Sequence, residues 1–135
     1  MSANPVNLFV YGTLRRDFDN EFAAMLARSA RFAGPSKVRG TIYLIAHYPG
    51  LVLSVEGGDW VAGDVYTLDA QGETLSALDQ YEASEPFQRV VAPVLLDSGE
   101  WLQAFVYIYT GDLHGKPAIV SGDFVEWLNA NRRPR

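Results

Sequence analysis

Apolar and polar positions change period several times along this chain, and each change marks an element. Leu8-Phe9-Val10-Tyr11 is a continuous apolar run that stops at Gly12, then meets Thr13, Leu14 and two arginines. This predicts a buried strand over residues 6–12, a sharp turn at its end, and a charged loop over 13–20. Phe22, Met25, Leu26 and Ser29 then recur at helical spacing, predicting a helix over about 20–29 with Asp19 or Asn20 as its cap. Residues 30–46 alternate loosely around Gly34-Pro35, which predicts a bent or bulged strand pair.

Tyr48-Pro49-Gly50 has turn chemistry, and a short strand over about 51–55 follows it. Gly57-Gly58-Asp59 is a second turn. Beyond it, residues 60–68 form a strand with Trp60, Ala62, Asp64 and Tyr66 on one face. A second helix is predicted over 71–82, then strands over about 88–97 and 101–109 around the turn Asp97-Ser98-Gly99. Trp101 to Tyr109 is almost continuously apolar, which predicts cover on both faces. A loop crosses 110–120. Ser121 or Asp123 starts a last helix with Phe124, Trp127 and Leu128 inward. Many strands, few helices and no strand–helix–strand rhythm give the fold class: α+β, a small mixed β-barrel with a few packed helices.

At 135 residues the chain is one domain, 1–135, with room for one sizeable core. A net charge of −5, with no basic run beyond the terminal Arg132-Arg133-Pro134-Arg135, argues against nucleic acid as a partner. No apolar run approaches the ~18 residues of a membrane span, and no leader pattern is present, so no membrane partner and a cytoplasmic location are expected. The absence of cysteine removes disulfides, thiolate catalysis and thiolate metal sites. His47 and His114 lack companion ligands at metal spacing, so no metal and no cofactor are expected.

Two places carry candidate chemistry. Glycine at the end of the first strand lets a ligand approach the backbone, and the amides of Gly12, Thr13 and Leu14 could converge on a carboxylate or an oxyanion. An ordinary strand-to-loop turn has the same local pattern. Glu82 is the second. At ~100° per residue it falls inside the apolar stripe of Leu75 and Leu78, where burial and the negative end of the helix dipole would raise its pKa toward proton exchange near neutrality. A helix that stops earlier would leave Glu82 in solvent or paired with Arg89. Asp64 and Asp79 read as solvated or supporting residues, and Tyr107 as either core or pocket wall.

Tyr11-Gly12-Thr13-Leu14, with Asn20 following, resembles the signature loop of the gamma-glutamylcyclotransferase-like family. Gly40-Thr41-Ile42-Tyr43, Tyr48-Pro49-Gly50-Leu51-Val52, Gly63-Asp64-Val65-Tyr66, Leu78-Asp79-Gln80-Tyr81-Glu82 and Ala104-Phe105-Val106-Tyr107 continue the resemblance in order. It implies cyclisation of a small gamma-glutamyl substrate, releasing 5-oxoproline and an amine, without a metal. It also implies Glu82 as general acid/base and Tyr11, Gly12, Thr13, Leu14 and Tyr107 as substrate-binding residues. Asp17 and Asp19 stand where the family has glycine and often proline. Ala83 replaces the usual glycine after the glutamate, and Phe87 replaces a frequent tyrosine. Two rivals share this outline: a module of the same fold that binds a carboxylate without turnover, and an acyl-removing enzyme of a biosynthetic pathway. The resemblance leaves the leaving group and the oligomeric state open.

Overall fold

The computed structural model describes residues 5–12, 21–46, 48–54, 59–69, 73–82 and 86–131. Strands β1 (Pro5–Val10), β2 (Arg31–Leu44), β3 (Pro49–Leu53), β4 (Trp60–Asp69), β5 (Phe87–Leu96) and β6 (Trp101–Tyr109) form one sheet in the order β3-β2-β4-β1-β6-β5. A further pairing of β2 with β5, at Ser36–Leu96 and Lys37–Leu95, closes five of the strands into a barrel and leaves β3 as an extension beside β2. Only the β1–β6 pair is parallel, so the barrel is mixed, as expected from the sequence.

The long element 31–44 is one strand of 14 residues, not the expected pair. Its bend comes from a register shift between Phe32 and Gly34, where Gly34 has φ +142°, a conformation open to glycine. Kinked this way, β2 serves β4, β5 and β3 at once. Pro49 and Gly50 also depart from expectation. They belong to β3, opposite Leu44 and Tyr43, and the chain reverses just before them, where Ile45 N–H donates to the carbonyl of Tyr48 at 3.0 Å. Close packing explains the glycine better than turn chemistry does. A Cβ on Gly50 would stand 2.8 Å from Cβ of Tyr109.

Inside the barrel, Phe9, Val38, Ile42, Leu51, Val61, Val65, Val94 and Val106 pack with Ile119 and Phe124. Helix α3 (Phe124–Asn131) plugs this core from one side, its first turn capped by Asp123, whose Oδ1 accepts from Glu126 N–H at 3.1 Å. Outside, α1 (Glu21–Ser29) and α2 (Glu73–Glu82) cover a second apolar layer that includes Leu8, Val10, Leu26, Tyr66, Leu75, Leu78 and Tyr107. The alternation of β1 supplies both layers: Phe9 faces in, while Leu8 and Val10 face the helices. Cover is incomplete over β6. Trp101 is 53% exposed, so its apolar run has a bare end rather than two covered faces. No described helix is long and apolar enough to cross a membrane.

Candidate active site

Tyr11 follows the last residue of β1, and its side chain turns into the barrel core, stacking on Phe9 at 6.3 Å between ring centroids. Its hydroxyl donates to the backbone carbonyl of Tyr107 at 2.7 Å and accepts from Leu51 N–H at 3.1 Å. One phenol therefore ties the end of β1 to β6 and to β3. The hydroxyl faces backbone rather than open space. Gly12 packs beside β3: a Cβ there would lie 2.9 Å from Cγ of Pro49. Thr13 and Leu14, like Asn20 and His47, lie outside the described residues.

Glu82 is the last residue of α2 and is half-buried, not fully inside the apolar stripe. The helix reaches it, with Leu78 one turn earlier fully buried and the acid only partly so. Its charge reaches both tyrosines. Burial pushes the Tyr11 phenol far above its ordinary range, the Leu51 N–H opposes this, and Glu82 adds to the rise. Burial also pushes Tyr107 up, followed by its hydrogen bond to Asp79 and the charge of Asp79, with Arg89 opposing and Glu82 again adding.

Tyr107 is 5% exposed, and its hydroxyl donates to Oδ1 of Asp79 at 2.7 Å. Asp79 Oδ2 in turn lies 3.1 Å from Nη1 of Arg89. Arg89 stands opposite Tyr107 in the β5–β6 register and lies over the Phe105 ring at 4.5 Å. The sequence placed Arg89 beside a carboxylate, and that carboxylate is Asp79. Asp79 is thus a bonded member of the cluster whose side chain is still 41% exposed to solvent. Its spacing of three residues from Glu82 on α2 was the available signal, since such positions share a helix face. Asp64, expected to be solvated, is 5% exposed, held in β4 opposite Val10 of β1.

Tyr48, Phe87 and Tyr109 form an aromatic wall next to this cluster, with Phe87 centred 6.1 Å from Tyr48 and 5.4 Å from Tyr109. A shallow groove of about 230 Å³ on the outer face, lined by Val6, Asn7, Val91, Gln103, Ala104 and Phe105, shares none of the candidate residues. His114 is exposed, and among the described residues no group of three His, Cys, Asp or Glu side chains could hold a metal ion.

Residues 8–127 match the family described as Gamma-glutamyl cyclotransferase, AIG2-like. The chain belongs to this family. Solved structures extend the likeness over the barrel and its helices. An AIG2-like protein from Mus musculus is 25% identical with a TM-score of 0.73, the match covering 98% of this chain and 97% of that one. Protein ytfP from Escherichia coli is 27% identical with a TM-score of 0.64, over 94% of this chain and 100% of its own. YkqA from Bacillus subtilis shares the fold at 24% identity and a TM-score of 0.74; this chain spans 97% of itself but 44% of YkqA. No curated protein matches the sequence directly. The AIG2-like relationship accounts for the order of the motifs along the chain, from Tyr11-Gly12 to Tyr107.

Proposed function

We propose that this cyclotransferase-family protein converts a small gamma-glutamyl amine or peptide into 5-oxoproline and a free amine, with Glu82 as the general acid/base. The observation that carries the reading is a chain of contacts from the signature loop to the end of α2: the Tyr11 hydroxyl bonds the Tyr107 carbonyl, and the Tyr107 hydroxyl bonds Asp79, three residues before Glu82 on α2. These residues come from three separate elements, and only the closed barrel makes them neighbours.

The free α-amine of the substrate attacks its own γ-carbonyl, a new C–N bond closes the five-membered ring, and the old amide C–N bond breaks. Glu82 takes a proton from the attacking nitrogen and returns one to the departing nitrogen. Nucleophile and electrophile belong to one bound molecule, so holding it in the reactive conformation supplies much of the acceleration. The amides from Gly12 onward are the proposed donors to the substrate's oxygens. Tyr11 serves this loop by anchoring its first residue.

A chromatographic screen of gamma-glutamyl amines, dipeptides and isopeptides, read as 5-oxoproline release, tests the proposal. Turnover of at least one compound is expected. Tight binding with no release from any of them would move the protein to the binding-module reading.

A further inference from the structure

Tyr107 has one hydroxyl proton, and it is committed to Asp79. The phenol oxygen is therefore left to serve as an acceptor for an N–H donor. Asp79 cannot swing away easily, because its second oxygen faces the Arg89 guanidinium at 3.1 Å. Arg89 is itself held, lying flat on Phe105 from the adjacent strand. Its buried Nη1 makes no aligned hydrogen bond, so its action on Asp79 is that of a nearby positive charge rather than of a directed donor.

We infer that Arg89 and Asp79 are positioning residues, which act through Tyr107 to present its oxygen to the amine of the substrate beside Glu82. This rests on the cyclotransferase reading above. An attacking amine must lose a proton toward Glu82 while its remaining N–H bonds are kept in line, and an acceptor fixed in one orientation does that. A phenol free to rotate would instead spend part of its time donating to Glu82 and competing with the substrate.

The charged and titratable groups of this cluster that bear on Glu82 include Asp79 on its own helix, Tyr11 after β1, Tyr107 on β6 and Arg89 on β5. Removing either positioning charge therefore has a signature that lost packing lacks. Arg89→Gln takes away a positive charge, so the acid limb of the kcat/KM profile should move up by roughly half a pH unit. Asp79→Ala takes away both the negative charge and the acceptor that holds the Tyr107 hydroxyl, so the limb should move down by a similar amount while kcat falls roughly tenfold. Arg89→Lys keeps the point charge and should restore the wild-type limb, because no bidentate contact is lost.

The experiment measures these pH profiles on the full chain, together with the slowly exchanging Tyr107 hydroxyl proton by nuclear magnetic resonance. Opposed shifts, rescue by lysine and loss of the hydroxyl signal in Asp79→Ala support the inference. Unmoved limbs, or shifts of the same sign, overturn it. If wild type releases no 5-oxoproline, the cyclotransferase reading fails separately, and the hydroxyl signal still decides whether Asp79 fixes Tyr107. Its survival in Asp79→Ala overturns the positioning, and its loss there with retention in Arg89→Lys upholds it.

Discussion

The Tyr11 hydroxyl donates to the Tyr107 carbonyl at 2.7 Å, joining two residues 96 positions apart at the mouth of the barrel. The same oxygen accepts from Leu51 N–H, so the phenol satisfies two buried backbone groups at once. Strands β1 and β6 pair only at Leu8–Phe105 and Phe9–Val106. Tyr11 continues that short ladder by one side-chain bridge beyond the Phe9–Val106 pair. The positions of Tyr11 and Gly12 are thus set by β1 pairing, by the tyrosine hydroxyl and by the Pro49 ring beside Gly12.

Removing that hydroxyl should cost stability in a pH-dependent way. Tyr11→Phe keeps the ring but leaves the Tyr107 carbonyl and the Leu51 amide unpaired, a loss of about 1–3 kcal/mol near neutrality. The wild-type phenol is pushed up by burial, so the fold retains its proton above pH ~10 while the unfolded chain releases it. This stabilising contribution is complete below pH ~10 and is lost as pH rises, by about 1.4 kcal/mol per unit. Urea unfolding of both proteins from pH 8 to 11 should therefore show the gap between them narrowing above pH 10. A constant gap would mean that Tyr11 is not buried as a neutral phenol.

Two glycines should fail differently. In Gly12→Ala the new methyl meets the Pro49 ring, at 2.9 Å from Cγ and 3.0 Å from Cδ, and one of the two segments must shift. Overpacking of this kind costs about 1–3 kcal/mol, and the displaced loop should lower turnover beyond what the loss of stability explains. In Gly63→Ala the methyl would stand 2.3 Å from the carbonyl oxygen of Val10 and 2.5 Å from Cζ of Phe9, between paired strands. No side-chain adjustment relieves a clash with backbone. A folded but poorly active Gly12→Ala and a Gly63→Ala without a cooperative melting transition are the expected pair, read by calorimetry and 5-oxoproline release.

What the sequence reveals about this molecule depends on how local the cause is. The end of β1 is legible because Leu8 to Tyr11 is an apolar run cut by a glycine, and the cap at Asp123 because a short acid precedes Phe124, Trp127 and Leu128. Pro49-Gly50 misleads, since turn chemistry is a local preference and pairing with Leu44 and Tyr43 overrides it. Trp101 misleads because an apolar run does not say which of its ends the helices reach. The Arg89–Asp79–Tyr107 line is invisible to periodicity: it needs the β5–β6 register and the docking of α2 together. Asp64 is buried through strand order, which its flanking residues do not encode.

Chelation should leave activity intact. The cyclisation proposed here uses a carboxylate, backbone amides and an intramolecular amine, none of which needs a Lewis acid. Dialysis against excess EDTA, followed by assay in metal-free buffer, should give an unchanged rate of 5-oxoproline release. A loss reversed by one divalent ion would replace this mechanism with a metal-assisted one.

Glu82→Gln isolates proton transfer from everything else the residue does. The amide matches the acid in size, and Glu82 ends α2 half-buried rather than sealed in the core. Its melting temperature should therefore move by no more than about 2–4 °C, the equivalent of about 1 kcal/mol for a domain of this size. Turnover should fall by ~10²-fold or more, because glutamine cannot accept the proton of the attacking amine or return one to the leaving nitrogen. Binding of the substrate should persist, since the amides from Gly12 onward are untouched, so kcat should carry the loss while KM stays within a few-fold. Melting, kcat and KM measured on both proteins with one substrate make the decision. A variant that melts normally and turns over within a few-fold of wild type removes Glu82 from the mechanism. The binding-module reading expects a different result: no release by either protein, and tighter anion binding once the carboxylate is gone, because a charge that repels the ligand has been removed.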